Sequence, residues 1–262
     1  MASVSAHSEL LFNVRYGPVL ILFVVAVPVT LLLNATEFLI SGRLLRTELL
    51  PLRCLEITIL GSAANMLPLP GSTLVRVAGL KAAGASYVDS TAVTLLIAVN
   101  WIGIAFLCAG IGVWRLESLK LASVLLAIGG VALAVGIVLC WRISQDARLV
   151  IYVMGTKVAL VIVDICRVLL CFEALGVATT IWHASAFSIS GVLGSAVSIV
   201  PAGLGVREGV SAIIAPLVGL SASAAFLAAA LNRLVGLVVI VPVALVLTRT
   251  SKSQRPTQAR PG

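Results

Sequence analysis

The chain has 262 residues, of which 60% are hydrophobic and only 11% charged, and its mean hydropathy is +1.16. A soluble domain carries about 25% charged residues, so soluble enzymes, nucleic-acid modules and disordered regulators are excluded together. The net charge of +8 rests on 18 Lys and Arg spread over connectors and helix ends, without an aromatic-basic cluster; the positive-inside pattern of a membrane protein accounts for that spread.

The apolar runs are unbroken and long enough to span a bilayer as helices, unlike the alternating segments of about ten residues in a transmembrane barrel. The fold class expected is therefore an all-α polytopic membrane protein, one membrane-embedded domain over residues 1–247 with a disordered basic tail over 248–262. The first span is expected from Gly17 to Leu33, after Arg15 and Tyr16 and before Asn34 to Glu37. It lacks an A-x-A cleavage pattern and reads as a retained anchor.

A mixed stretch with Arg43, Arg46, Glu48, Arg53 and Glu56 follows, then an apolar run from Ile57 to Leu67 that stops at Pro68-Leu69-Pro70-Gly71. That run is too short for a standard span of about 20 residues. Ser72 to Ala83, carrying Arg76 and closed by Gly84, reads as a second short helix, so the pair suggests a re-entrant hairpin. Full spans are expected at Tyr87–Trp114, Leu119–Trp141 and Leu149–Leu175, with Trp114, Trp141 and Trp182 at interfacial positions. A helix from Ala184 to Val200 then meets a second break, Pro201-Ala202-Gly203-Leu204-Gly205, followed by a short helix to about Val218 and a last span from Ala222 to Leu247.

The two breaks share a layout. Ser62-Ala63 lies six residues before Pro68 and Ser195-Ala196 six before Pro201. After each break comes a short helix, a small-residue turn (Gly84-Ala85-Ser86; Gly219-Leu220-Ser221) and a long span, so repeat 1 falls at about residues 50–114 and repeat 2 at about 184–247. With about five full spans and two re-entrant hairpins, eleven basic residues (Arg43, Arg46, Arg53, Arg76, Lys81, Arg142, Arg148, Arg249, Lys252, Arg255 and Arg260) share one side, three (Arg15, Arg115, Lys120) share the other, and four lie at membrane depth. This bias predicts a cytoplasmic C-terminus and an exterior N-terminus, in a plasma membrane of bacterial type. The repeats are then related by inverted topology, an arrangement characteristic of transporters.

The four cations at depth are Lys157, Arg167, Arg207 and Arg233. Charged groups there are costly and face the protein interior or a wet cavity. Lys157, Asp164 and Arg167 can share one helical face, either as an internal ion pair or as a polar path for a headgroup or proton; Glu173 lies near the same helix's end. Arg233, with Asn232 beside it, needs a partner, and Glu208, Asp164 or an anionic ligand qualifies. Arg207-Glu208 follows the second break directly, where free N–H groups at a helix start and a bidentate guanidinium suit phosphate. The backbone positions are Pro68, Pro70 and Gly71 in the first break and Pro201, Gly203 and Gly205 in the second. Ser188, Gly191, Ser195 and Ser198 offer a small-residue packing face; His183 reads as interfacial, and the five cysteines as packing residues. No catalytic constellation, metal motif or cofactor motif is visible.

In Val200-Pro201-Ala202-Gly203-Leu204-Gly205-Val206-Arg207-Glu208, followed by Asn232-Arg233, the chain resembles the lysylphosphatidylglycerol synthase transmembrane family, a flippase-like membrane module. Asn65 to Arg76, Gly84-Ala85-Ser86 and Glu173-Ala174-Leu175-Gly176 fit the same pattern, which covers about residues 35 to 247. Two positions depart from it: Thr73 stands where an acid is usual before the first-repeat arginine, and Asn100 where an arginine is usual in the following span. The resemblance implies a module that moves or handles lipids, in the best-known relatives an aminoacylated phosphatidylglycerol. The resemblance is to that membrane module alone, and those relatives' soluble aminoacyl-transferring domain is not expected after the last span.

The function expected is therefore a lipid translocator, not an enzyme, with Arg207, Glu208, Arg233 and Asn232, together with Arg76, Asp164 and Arg167, lining a polar midplane cavity. Its partners are membrane lipids with an anionic or phosphate-bearing headgroup, without cofactor, metal or nucleic acid. The alternative is a non-transporting partner that presents lipid to a glycolipid-, hopanoid- or lipid-modifying enzyme.

Overall fold

The computed structural model describes residues 14–65, 71–196 and 205–253. Its secondary structure there is helical, and five helices are long and apolar enough to cross a membrane. The protein is an all-α integral membrane protein.

Helix α1 runs from Tyr16 to Leu44, eleven residues beyond the expected end at Leu33. Its polar residues do not stop it because their side chains bond back along the helix: Thr30 Oγ1 donates to Ala26 O (2.7 Å), Asn34 Nδ2 to Thr30 O (2.8 Å) and Ser41 Oγ to Glu37 O (2.9 Å). A π-helical turn at Leu22–Ala26 precedes Pro28, whose ring cannot fit against a regular preceding turn. Glu37, expected past the end of the span, therefore lies within α1, beyond the apolar run that ends at Leu33, and is 2% exposed.

Helices α2 (Pro51–Ala64) and α3 (Gly71–Ala82) are 14 and 12 residues long, or about 21 and 18 Å at 1.5 Å per residue, against a hydrocarbon core of about 30 Å. They pack antiparallel: Gly79 faces Ile57, Gly61 faces Ser72 and Gly71 faces Ala64. A Cβ on Gly71 would fall within 2.1 Å of Ala64 O, so the closeness of the two arms requires glycine there. Thr73 of α3 brings no acid, and Arg76 finds its carboxylate on α1 instead.

The next three helices are α4 (Tyr87–Arg115), α5 (Leu119–Ser144) and α6 (Ala147–Ala174), within a few residues of the expected spans. Ser86 caps α4 by accepting from Asp89 N, and Asp146 caps α6 by accepting from Arg148 N. α4 and α5 form the most extensive helix pair, antiparallel through Gly103, Gly110, Gly129 and Gly136. Asn100 is wholly buried in this seam, against Gly136, and thus serves helix packing.

The helix expected from Ala184 to Val200 is divided. α7 (Ile181–Ala186) and α8 (Ser188–Ala196) are separated at Phe187, whose N–H turns back to Ala184 O while Ser185 and Ser190 bond to carbonyls three residues behind. Tight turns of this kind are local side-chain chemistry that hydropathy does not register. α9 (Val206–Leu217) and α10 (Ala222–Ser253) complete the fold, with α10 continuing past Leu247 to Ser253. The expected tail beyond that residue lies outside the described residues.

Contacts fix how the long helices run. Arg15 N donates to Ala174 O (2.8 Å), and Thr30 and Glu37 meet Arg167 and Lys157, so α1 and α6 are antiparallel. Arg115 stacks 5.1 Å over Trp182 just past the end of α6, placing the end of α4 on that same face. Large apolar side chains of α5, α6 and α10, including Val131, Val138, Ile151, Ile162 and Leu234, remain exposed. A continuous apolar surface of that extent requires lipid.

Candidate functional site

Helix α6 carries Lys157, Asp164 and Arg167, spaced over ten residues or about 15 Å of helix, half the depth of a bilayer. Each has a partner from a different element, and two polar clusters result.

The second-break cluster forms where α6, α9 and α10 meet. Arg207, one residue into α9, donates from Nη2 to both oxygens of Asp164 (3.0 and 3.2 Å). Arg167 is held by Asn232, with Nε to its Oδ1 (2.9 Å) and Nη2 to its carbonyl (3.3 Å), and Nη1 reaches Thr30 Oγ1 (3.3 Å). Arg233 Nη1 donates to Glu208 Oε1 (3.1 Å), and Glu208 Oε2 accepts from Gly205 N (3.0 Å). Gly205 holds φ at +81°, a left-handed value that favours glycine. One carboxylate thus caps α9 and receives the arginine of α10. The expected alternatives for Arg233 resolve to Glu208, and Asp164 goes to Arg207.

The first-break cluster forms where α1, α3 and α6 meet. Glu37 accepts a hydrogen bond from Arg76 on Oε1 and forms an ion pair with Lys157 through Oε2. Arg76 Nη2 also donates to Asn34 Oδ1 (3.1 Å). The face shared by Lys157, Asp164 and Arg167 is real, yet it serves two clusters rather than one internal pair. Glu37 and Asn34 are the site residues that sequence reasoning missed.

Trp101 of α4 lies between the clusters. The Lys157 ammonium sits 5.9 Å from its ring centroid. On the other side, a Cβ built on Gly191 of α8 would lie 3.7 Å from Trp101 Cζ2, from Asp164 Oδ2 and from the Arg207 guanidinium carbon alike. Gly191 therefore borders both the indole and the ion pair, and a Cβ there would meet them at ordinary contact distance. Ser188, on the same face of α8, donates to Ala105 O of α4 (2.7 Å), whereas Ser195 of the expected small-residue face is exposed; Ser198 lies outside the described residues.

Two polar atoms of the second cluster, Arg207 Nε and Asn232 Nδ2, are buried without a hydrogen-bond partner among the described residues. Arg207 borders a pocket of about 210 Å³, measured to its open mouth and lined also by Phe172, Phe187, Ser190, Ser211 and Ala228. The enclosed part is about 10 Å³, room for about one water molecule, so this space is far smaller than a headgroup needs. The cluster is mostly paired within itself, and Arg207 Nε and Asn232 Nδ2 are its unpaired atoms among the described residues.

Counted over both clusters, five cations (Arg76, Lys157, Arg167, Arg207, Arg233) face three carboxylates (Glu37, Asp164, Glu208). Glu173 is exposed, and His183 caps α7 through Thr180. Gly71 and Gly205 are the described parts of the breaks; Pro68, Pro70, Pro201 and Gly203 lie outside the described residues. The chain has no match among protein-family models, curated proteins or solved structures.

Proposed function

We propose that the protein is a lipid translocator, resembling the lysylphosphatidylglycerol synthase transmembrane family, in which a polar or anionic headgroup follows α6 while the acyl chains stay in the bilayer. The observation that carries this reading is the pair of buried clusters strung along one helix. Each joins an arginine from a short helix after a chain break to a carboxylate on a long helix. Cations in excess of carboxylates, buried or half-buried, favour an anionic visitor, and ion pairs that can trade a protein carboxylate for a phosphate provide successive stations.

The contacts also support two re-entrant hairpins entered from opposite faces. The ends of α4 and α6 and the start of α1 share one face, so α2 and α3, between the end of α1 and the start of α4, leave from and return to the other. α7 and α8 pass from Gly112 at the end of α4 to Trp101 at its middle. Phe172 and Val168 of α6 share a pocket with Ala225, Ala228 and Ala229 of α10, so α10 sets out from the face where α6 ends. Such an inverted pair is the architecture of alternating access. With the eleven-to-three bias of basic residues, the second hairpin opens to the exterior and the first to the cytoplasm of a bacterial-type plasma membrane.

The test is leaflet-selective quenching of labelled phosphatidylglycerol and a neutral lipid in proteoliposomes holding the purified protein. Protected label is expected to be lost rapidly, and Arg207→Ala or Arg233→Ala to slow that loss at least about tenfold, the equivalent of one charge-assisted hydrogen bond. Folded variants moving lipid at the parent rate overturn the site. No acceleration of any lipid by folded parent protein overturns transport and favours the enzyme-partner role, with a co-purifying enzyme as its mark.

A further inference from the structure

The first cluster holds one carboxylate and two cations. Glu37 is 2% exposed, Lys157 7% and Arg76 15% at the side chain, so the triad keeps a surplus positive charge out of water, where an uncompensated ion is strongly disfavoured. The guanidinium of Arg76 does not give up its proton. Protonating Glu37 would enlarge the surplus. Two ways of removing it remain: Lys157 releases its proton, as buried lysines do readily, or an anion joins the cluster.

The surroundings leave that choice to the triad itself. Lys157 faces Glu37 from α1, Arg76 from α3 and the uncharged indole of Trp101 from α4. α5 has no charged residue between Lys120 and Arg142. Along its span α10 offers Arg233, which is bonded to Glu208. Asp164, on the same helix as Lys157, is two turns away and bonded to Arg207. Arg76, the most exposed member, is the side from which an anion can arrive.

We propose that Glu37, Arg76 and Lys157 form a second binding site that takes one proton on Lys157 together with one anionic phosphate group. In the empty site Lys157 is neutral and the Arg76–Glu37 pair balances itself. When the anion arrives Lys157 takes up a proton, with the Trp101 face adding a cation–π contact. Proton and anion therefore promote each other's binding by the same factor, and the anion binds more weakly as pH rises above the lysine's midpoint. This inference deepens the transport reading by naming the coupled ion.

The experiment is nitrogen NMR of lysine-labelled protein in nanodiscs, where the chain's four lysines give few resonances and Lys157→Met identifies the relevant one. In phosphatidylcholine discs the titration midpoint of Lys157 sets the reference. Phosphatidylglycerol is expected to raise that midpoint by about one unit or more, a tenfold gain in proton affinity. The same rise from inorganic phosphate in phosphatidylcholine discs, without one from phosphatidylglycerol, makes the anion a free one and keeps the site. A Lys157 that stays charged up to the ordinary lysine range, or a midpoint that neither anion moves, overturns the proposal. Because the readout needs no transport, a translocating protein with an indifferent Lys157 defeats this inference alone, and a responsive Lys157 in a protein that moves no lipid defeats the transport reading alone.

Discussion

Glu37 carries the first cluster, and its neighbours set an order of mutational costs. Glu37→Gln leaves the largely buried Arg76 without its carboxylate and is expected to destabilise by about 3–5 kcal/mol. Lys157→Met leaves the balanced Arg76–Glu37 pair in a side chain of similar volume and is expected to cost under about 1.5 kcal/mol. Arg53→Ala breaks a pair whose side chains are 58% and 42% exposed, and is expected to cost about 0–1 kcal/mol. Thermal unfolding in detergent of the three variants checks the order; a Glu37→Gln protein as stable as Arg53→Ala would remove the charge argument. Of this cluster, Arg76 and the buried lysine were legible in the sequence, since any charge inside an apolar run asks for a partner. Glu37 was not, because a span was closed at Leu33 on the polarity of Asn34 and its neighbours. The legible clue is that Asn34, Glu37 and Ser41 stand three and seven residues apart on one helical face, with neither Pro nor Gly intervening.

At the scale of elements, the α4–α5 pair shows how a lipid-embedded core is held by close approach. A Cβ on Gly129 would lie 2.7 Å from Leu107 N and 2.9 Å from Gly103 O, whereas nothing lies within 4 Å of one on Gly130. Gly129→Ala is therefore expected to push the helices apart at a cost of about 1–3 kcal/mol. Gly130→Ala, one residue on, is expected to be neutral or to stabilise by up to about 1 kcal/mol through helix propensity. The unfolding midpoints of these two variants should move in opposite directions or by clearly different amounts; equal losses would mean that the seam does not depend on backbone contact. The long helices were legible because twenty apolar residues leave few alternatives. The division at Phe187 was not, since it depends on which serines turn their hydroxyls back onto their own helix.

For the whole molecule, charge bias and contact geometry make independent statements that meet. The bias comes from connectors and tail and concerns the two sides of a membrane, while the contacts Arg15–Ala174 and Arg115–Trp182 say which helix ends lie together. The ends joined by contact are the ones with few basic residues, so a single orientation satisfies both. The proposed orientation predicts that Ser144, at the end of α5, faces the cytoplasm and that Ser221, at the exposed turn before α10, faces the exterior. In a chain whose native cysteines are replaced by alanine, Ser221→Cys is expected to react with an impermeant maleimide on intact cells, and Ser144→Cys only after permeabilisation. The replacement is needed because Cys166 is exposed on α6. Labelling of both on one face would break the alternation of five spans and two hairpins, and with it the opposed openings on which alternating access depends. Labelling on opposite faces but in the reverse sense would keep the fold and invert the direction from which each cluster is reached. That outcome would place the Lys157 triad toward the exterior, and any proton taken up there would come from the opposite side of the membrane.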